Sequence, residues 1–270
     1  MRKETMASHA RMLPAYRQLR QIGVPLCNSL VASLDESMLN EGARRIGILK
    51  NGTIVLDSEH VMSVLMDFCI HSIRVNGQTA VQRFMQALPP RAGSEEAAIL
   101  RRMLTGHYAI VEVISLEKGV GLNVRDVLRD DIYFVADIGL STSARPKELI
   151  GTRLFFVEEH GFHMTGGAAL PVTGTAISKI NQELVRHFGF GTDFARIDVG
   201  QESELAEIVI RTCLATGMGS RIAYGTSAEI SSGNELSFDS RERRRANRND
   251  PCPCASGKKF KSCCGRRPQL

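Results

Sequence analysis

His107-Tyr108-Ala109-Ile110-Val111-Glu112-Val113-Ile114 is the stretch at which the period of this chain changes. Upstream, apolar residues recur at helical spacing. From His107 onward, short runs rich in β-branched and aromatic residues take over: Gly121-Leu122-Asn123-Val124, Ile132-Tyr133-Phe134-Val135, Arg153-Leu154-Phe155-Phe156-Val157 and Phe162-His163-Met164. Lys118-Gly119, Arg129-Asp130-Asp131, Arg145-Pro146 and His160-Gly161 punctuate them as turns. Five short strands within about sixty residues predict a compact antiparallel barrel or curled sheet. With helices on either side in sequence, the fold class is α+β.

Working outward, the first hundred residues read mostly as helix. Asp35 to Ile46 is amphipathic. Asn51-Gly52, between Ile48-Leu49 and Ile54-Val55, predicts a small hairpin, because both turn residues tolerate positive φ. Ser58 is placed to cap a helix whose Val61, Val64, Leu65, Phe68 and Cys69 share one face. Gln78 to Leu88 continues helical up to Pro89-Pro90, and Ser94-Glu95-Glu96 starts another helix that ends near Gly106. Met62, Met66, Met85 and Met103 fit a helical core; the alternative use of such thioethers is an adaptable binding groove. Beyond the strands, Thr175 to Phe188 and Glu202 to Thr216 read as amphipathic helices.

The predicted organisation is therefore a helical region with a small hairpin over 1–106, a β-rich domain over 107–172, a helical region over 173–218, a flexible basic linker over 219–247 and a small knuckle over 248–266. Among 270 residues, 43% are apolar and 23% charged, which suits a globular chain. The net charge of +5 is unevenly spread. From Arg241 to Leu270 there are ten Lys or Arg against Glu242 and Asp250, a local +8 that leaves −3 on the rest. No apolar run approaches the roughly 20 residues needed to span a bilayer. Ile22 to Leu34 is uncharged but short and holds Pro25 and Asn28, and Gly161 to Ser178 is too rich in Gly, Thr and Pro.

The chemistry is concentrated in Asn249-Asp250-Pro251-Cys252-Pro253-Cys254-Ala255-Ser256-Gly257-Lys258-Lys259-Phe260-Lys261-Ser262-Cys263-Cys264-Gly265. Cys252, Cys254, Cys263 and Cys264 follow C-x-C-x8-C-C, and the Ser256-Gly257 turn folds the second pair back on the first. Four thiolates without a carboxylate make a closed, soft, tetrahedral donor set, for which zinc is the expected ion. The alternative is disulfides or free thiols, but vicinal Cys263 and Cys264 cannot bridge each other without strain. Cys27, Cys69 and Cys213 sit singly in apolar segments and read as buried small hydrophobes. A reducing cytoplasm keeps the tail thiols available for metal.

These tail residues resemble the SEC-C motif, the small zinc module at the C-terminus of the translocase ATPase SecA and of several unrelated bacterial proteins, over about the last twenty residues. The family pattern C-P-C-x-S-G-K-K-[YF]-K-x-C-[CH]-G is met at nearly every position, with Cys264 where SecA-type modules often have His. The resemblance implies that Cys252, Cys254, Cys263 and Cys264 are zinc ligands and that the module docks, on the chaperone SecB in SecA and on ribosomes elsewhere. More loosely, Gly119-Val120-Gly121-Leu122-Asn123-Val124-Arg125-Asp126-Val127-Leu128 and Arg145-Pro146-Lys147-Glu148-Leu149-Ile150 are similar to a region of other SEC-C-containing bacterial proteins, with no ligand or reaction attached.

No stretch announces an active site. Glu158, Glu159, His160 and His163 cluster where a solvated turn is expected, and His60 and His71 lack the spacing of a helical metal pair. Gly119-Val120-Gly121 and Gly189-Phe190-Gly191 lack the companions of a nucleotide site and read as turns. The functional expectation is a non-enzymatic, zinc-binding cytoplasmic adaptor. Its knuckle, through Lys258, Lys259, Phe260 and Lys261 with Arg243, Arg244 and Arg245, docks on a protein partner such as a chaperone, on a ribosome or on another anionic partner. The alternatives are a nucleic-acid-binding regulator that uses the basic tail on phosphates, and an enzyme with an accessory SEC-C module.

Overall fold

Five strands close on one another in the computed structural model, which describes residues 9–166 and 168–217 together with Lys259. The chain divides into two units, Met1–Tyr224 and Gly225–Leu270, and the elements below belong to the first. The expected linker over 219–247 and knuckle over 248–266 lie outside the described residues, save Lys259.

In chain order the elements are α1 (Leu13–Ala32), α2 (Glu36–Arg45), the hairpin β1 (Leu49–Lys50) and β2 (Thr53–Ile54), α3 (Glu59–Ser72), α4 (Ala80–Ala87) and α5 (Glu95–Thr105). There follow β3 (His107–Glu117), β4 (Gly121–Asp126), β5 (Ile132–Ala136), α6 (Ile138–Ser143), β6 (Leu149–Val157), β7 (Phe162–Thr165), β8 (Leu170–Pro171), α7 (Gly174–Phe188) and α8 (Val199–Ala215). Local chemistry explains the starts. Asp35, Ser58, Thr79, Ser94, Asp137, Thr173 and Asp198 each accept a hydrogen bond from a backbone amide of the first turn that follows, satisfying donors a helix leaves unpaired. Asn51 and Gly52 turn the hairpin with φ of 51° and 76°, as the sequence requires.

The sheet order is β3-β4-β5-β7-β6, with β6 also pairing β3, so the five strands form a closed barrel, and β8 adds to β6. The barrel is mixed, not antiparallel as expected, because β5 and β7 run parallel, with Val135 opposite His163 and Ala136 opposite Met164. Parallel neighbours need a crossover, here supplied by α6 and β6. Asp137 caps α6 through Leu140 N at 2.9 Å, and Leu140 and Ala144 join the barrel's interior cluster.

β3 is buried on both faces, and its alternation divides two cores. Ala109, Val111 and Val113 point inward with Leu122, Val124, Val135, Ile150 and Leu154. Tyr108 and Ile110 point outward into a larger cluster with Phe68 and Leu65 of α3 and Leu205 and Val209 of α8. The helices and barrel therefore share apolar surface through β3, with Phe155 of β6 and Leu170 of β8 adding to it. Polar clamps reinforce it. Arg153 of β6, 4% exposed at its side chain, donates from Nε to Asp67 Oδ2 at 3.2 Å and from Nη2 to Ser72 Oγ at 3.3 Å, both on α3. Arg129 donates to Asp126 Oδ2 at 3.0 Å, to the Tyr108 carbonyl at 3.2 Å and to Glu202 of α8.

Gly121 shows how tightly the barrel closes, since a Cβ there would overlap the Val135 carbonyl oxygen and the Phe134 ring. As the strand reading of Gly121 to Val124 has it, Gly121 opens β4; of the glycine pair read as a turn, the turn belongs to Gly119 at φ 76°. Gly121→Ala is expected to lower the unfolding free energy by about 1–3 kcal/mol, in the range of core overpacking, whereas Gly52→Ala meets open space and loses only the cost of a side chain at positive φ, about 1 kcal/mol. Urea denaturation of both variants checks this ordering.

Candidate functional site

Two places in the chain carry chemistry: the cysteine tail and the space under α1. Of the tail's proposed contact residues only Lys259 is described, and it is exposed. Cys252, Cys254, Cys263, Cys264, Lys258, Phe260, Lys261, Arg243, Arg244 and Arg245 lie outside the described residues. Among the described residues no three His, Cys, Asp or Glu side chains gather so as to hold an ion. Cys27, Cys69 and Cys213 are unpaired, and burial raises all three thiols, Cys69 and Cys213 to about 12. Thiols held protonated are poor ligands and poor nucleophiles. The four closely spaced cysteines of the tail remain the one soft donor set in the sequence, and they fit zinc by number and type.

In the body, a cavity of about 460 Å³ lies between α1 on one side and α3, α5, β6 and β7 on the other. Its walls are largely apolar, with Met62, Met66, Ile70, Met103, Phe155 and Met164 among them. Three of the four methionines noted in the sequence thus line a cavity, and Met85 does not. Cys27, expected to be buried, is half-buried and lines the cavity from α1. Arg20 of α1 donates from Nη2 to Thr165 Oγ1 at 3.1 Å and lies 3.5 Å from Asp137 Oδ2; Thr165 in turn donates to Asp137. Asp67 reaches the cavity but is engaged by Arg153.

A second, more polar pocket of about 290 Å³ is lined by His71, Arg74, Gln82, His107, Arg153 and Glu202, among others. His71 lines both cavities, with Nε2 3.9 Å from Asp67 Oδ1. Burial and the nearby Arg153 push its imidazole down to about 3. Burial and Arg129 do the same to His107, also to about 3. Burial raises Glu202, opposed by Arg129. Imidazoles held neutral can orient or hydrogen-bond a group, but they do not act as acids near neutral pH. The cluster read from Glu158 to His163 is dispersed: Glu158–His160 forms a 3-10 turn, and Glu159 pairs with Arg102 at 2.7 Å. His163 lies against the rings of Tyr133 and Phe156, at 4.2 and 4.9 Å.

Sequence reasoning did not find the Asp67–Arg153 or Asp126–Arg129–Glu202 groupings. Asp67 and Arg153, and Glu202 and the Asp126–Arg129 pair, are far apart in the chain, and only charge inside apolar runs hinted at pairing.

The comparisons with known proteins agree with this division between body and tail. Residues 11–180 match the family of unknown function DUF7986, well over half of the chain, and the chain belongs to that family. Residues 248–266 match the SEC-C motif, a zinc-binding module. Among curated proteins the chain is similar to protein translocase subunit SecA of Clostridium novyi, 48% identical over 48 residues that make up 17% of this chain and 6% of that protein. The subunit of Geobacter metallireducens is 65% identical over 26 residues, 10% of this chain and 3% of that protein. In Xanthomonas oryzae pv. oryzae the match is 38% over 87 residues, 27% of this chain and 10% of the SecA protein. The chain thus spans about a tenth or less of these relatives. No solved structure matches it. Among the described residues, no helix is long and apolar enough to cross a membrane.

The buried imidazoles set a pH dependence. The ordinary value of 6.5 falls to about 3 on folding for both His71 and His107, so below pH 6.5 the unfolded chain binds protons that the folded chain does not. Their stabilising contribution is complete above pH 6.5 and is lost as pH falls toward 3, by about 1 kcal/mol per pH unit for each group. Between pH 6.5 and 5.5, before most carboxylates titrate, urea midpoints are expected to fall. His107→Gln is expected to reduce that slope, and a flat wild-type profile would contradict the assignment.

Proposed function

We propose that this protein is a zinc-dependent docking adaptor of the cytoplasm, in which Cys252, Cys254, Cys263 and Cys264 hold one zinc ion and the folded knuckle presents Lys258, Lys259, Phe260 and Lys261 to a protein partner. The observation that carries the reading is the SEC-C motif at 248–266, beside the likeness of short stretches of the chain to protein translocase subunits. Some twenty residues are too few to bury a core, so metal binding supplies the folding free energy, on the order of 10–16 kcal/mol for structural zinc. The partner surface then exists only in the loaded state. Arg243, Arg244 and Arg245 add attraction for an anionic partner, a chaperone or a ribosome, through the local charge of +8.

The nucleic-acid reading rests on the same charge without the fold. If the tail merely neutralises phosphates, affinity falls with salt, the logarithmic slope being roughly 0.7–0.9 per phosphate contacted, and does not depend on zinc. The tail's aromatics, Phe238 and Phe260, are few for base stacking. The test uses full-length protein, a Cys252→Ser/Cys254→Ser/Cys263→Ser/Cys264→Ser variant, purified SecB, purified ribosomes and bare RNA. One zinc per chain is expected in the native protein and none in the variant. Binding to SecB or to ribosomes is expected to require zinc, while weak affinity for bare RNA survives its loss. Equal binding of SecB and ribosomes by the zinc-free variant would overturn docking in favour of simple electrostatics.

A further inference from the structure

We propose that the cavity beneath α1 binds the chain of an aliphatic carboxylate, with α1 as its cover and Arg102 as the partner of the head group.

α1 is anchored near its two ends. In a helix of 20 residues only Tyr16 and Leu30 are buried. Tyr16 packs with Phe162 and Met164 near one end, and Leu30 packs with Ile70, Leu100 and Met103 near the other. Between these anchors the inward stripe runs through Gly23 and Cys27, both of which line the cavity. A Cβ added to Gly23 would meet nothing within 4 Å. Pro25, in the same turn, removes a backbone hydrogen bond from the middle of the helix. Leu19 and Leu26 pack on either side, but at Gly23 and Cys27 small residues leave the space open, and the helix carries its weakest turn there.

The space suits an apolar chain. Its volume of about 460 Å³ falls within the roughly 300–1,000 Å³ of small-molecule sites. Met62, Met66 and Met103 give it unbranched, polarisable walls that adapt to a flexible guest. A cavity lined this way gains little from water and much from hydrocarbon.

The charges around it select the head group. Asp67 is engaged by buried Arg153, and Arg20 is held by Thr165 and Asp137. Arg102 differs from both. Its Nη2 meets Glu159, whose side chain is 59% exposed, and its buried Nη1 has no hydrogen-bond partner among the described residues. An exposed ion pair of that kind is weak and readily exchanged. A ligand carboxylate can take the Glu159 position and use both terminal nitrogens of the guanidinium, a stronger planar arrangement. An amine would be repelled, and an alcohol would use only part of the donor set.

The site is tested on the full-length, zinc-loaded protein by calorimetric titration with laurate below its micellar concentration, and with dodecanol in parallel. Alkylation of Cys27 is followed by peptide mapping. Laurate is expected to bind one per chain, to slow Cys27 alkylation and to bind about tenfold more tightly than dodecanol, as charge-assisted pairing implies. Gly23→Leu is expected to fill the cavity and remove binding while keeping or raising the thermal midpoint, since it also replaces a helix-weakening glycine. Arg102→Gln is expected to bring laurate down to the affinity of dodecanol. No saturable laurate binding by the wild type, or undiminished binding by a folded Gly23→Leu protein, would overturn the proposal. If Gly23→Leu fails to fold, an unchanged preference for laurate in Arg102→Gln overturns it equally.

Discussion

Arg153 is the residue on which the arrangement of this body depends. It projects from barrel strand β6 into the helical layer, carries a charge with almost no solvent contact and meets Asp67 and Ser72 on α3. Its guanidinium also lies over the Tyr108 ring, 5.7 Å from the centroid. Removing two charges from water costs several kcal/mol per ion, and only good geometry and further hydrogen bonds repay it. Either partner left alone is a buried uncompensated charge. The pair thus fixes how α3 lies on the barrel more than it adds net stability. Arg129 plays the same part on the other side, joining the β4–β5 turn and β3 to α8 through Asp126, Tyr108 and Glu202.

With α3 and α8 fixed, the remaining features follow. β3 can be apolar on both faces because one face fills the barrel and the other meets the helices. α1 is attached differently, through Tyr16, Leu30 and the Arg20–Thr165–Asp137 contacts. It meets the rest of the body at separated points, and between them the cavity remains. The elements with dense packing and buried ion pairs are the ones expected to open together, and α1 belongs to the less protected part.

Much of this was legible in the sequence, for local reasons. Five strands and their turns were visible because alternation and turn residues are local signals, and Ser58, Ser94 and Asn51-Gly52 acted where the sequence placed them. The parallel pairing of β5 with β7 was not, because α6 is a six-residue segment of Ile, Gly, Ser, Thr and Leu that reads as loop. α1 was blurred by Pro25 and Gly23, whose penalties are offset by anchoring at Tyr16 and Leu30. The cavity left a trace in the methionines, but spacing alone cannot separate a methionine that fills a core from one that lines an opening. In the tail, donor type and spacing identified the SEC-C motif without any tertiary information.

The central structural claim is that helices and barrel form one cooperative body, clamped by Arg153. Hydrogen exchange resolved by element tests it most directly. Amides of α3, α8, β3 and β6 are expected to exchange through a common opening, and Arg153→Ala should lower the free energy of that opening in all four by a similar amount, about 3–5 kcal/mol for a buried charge left unpaired. Loss of protection confined to α3, with β3 and β6 unchanged, would contradict the account and make the barrel an independent folding unit.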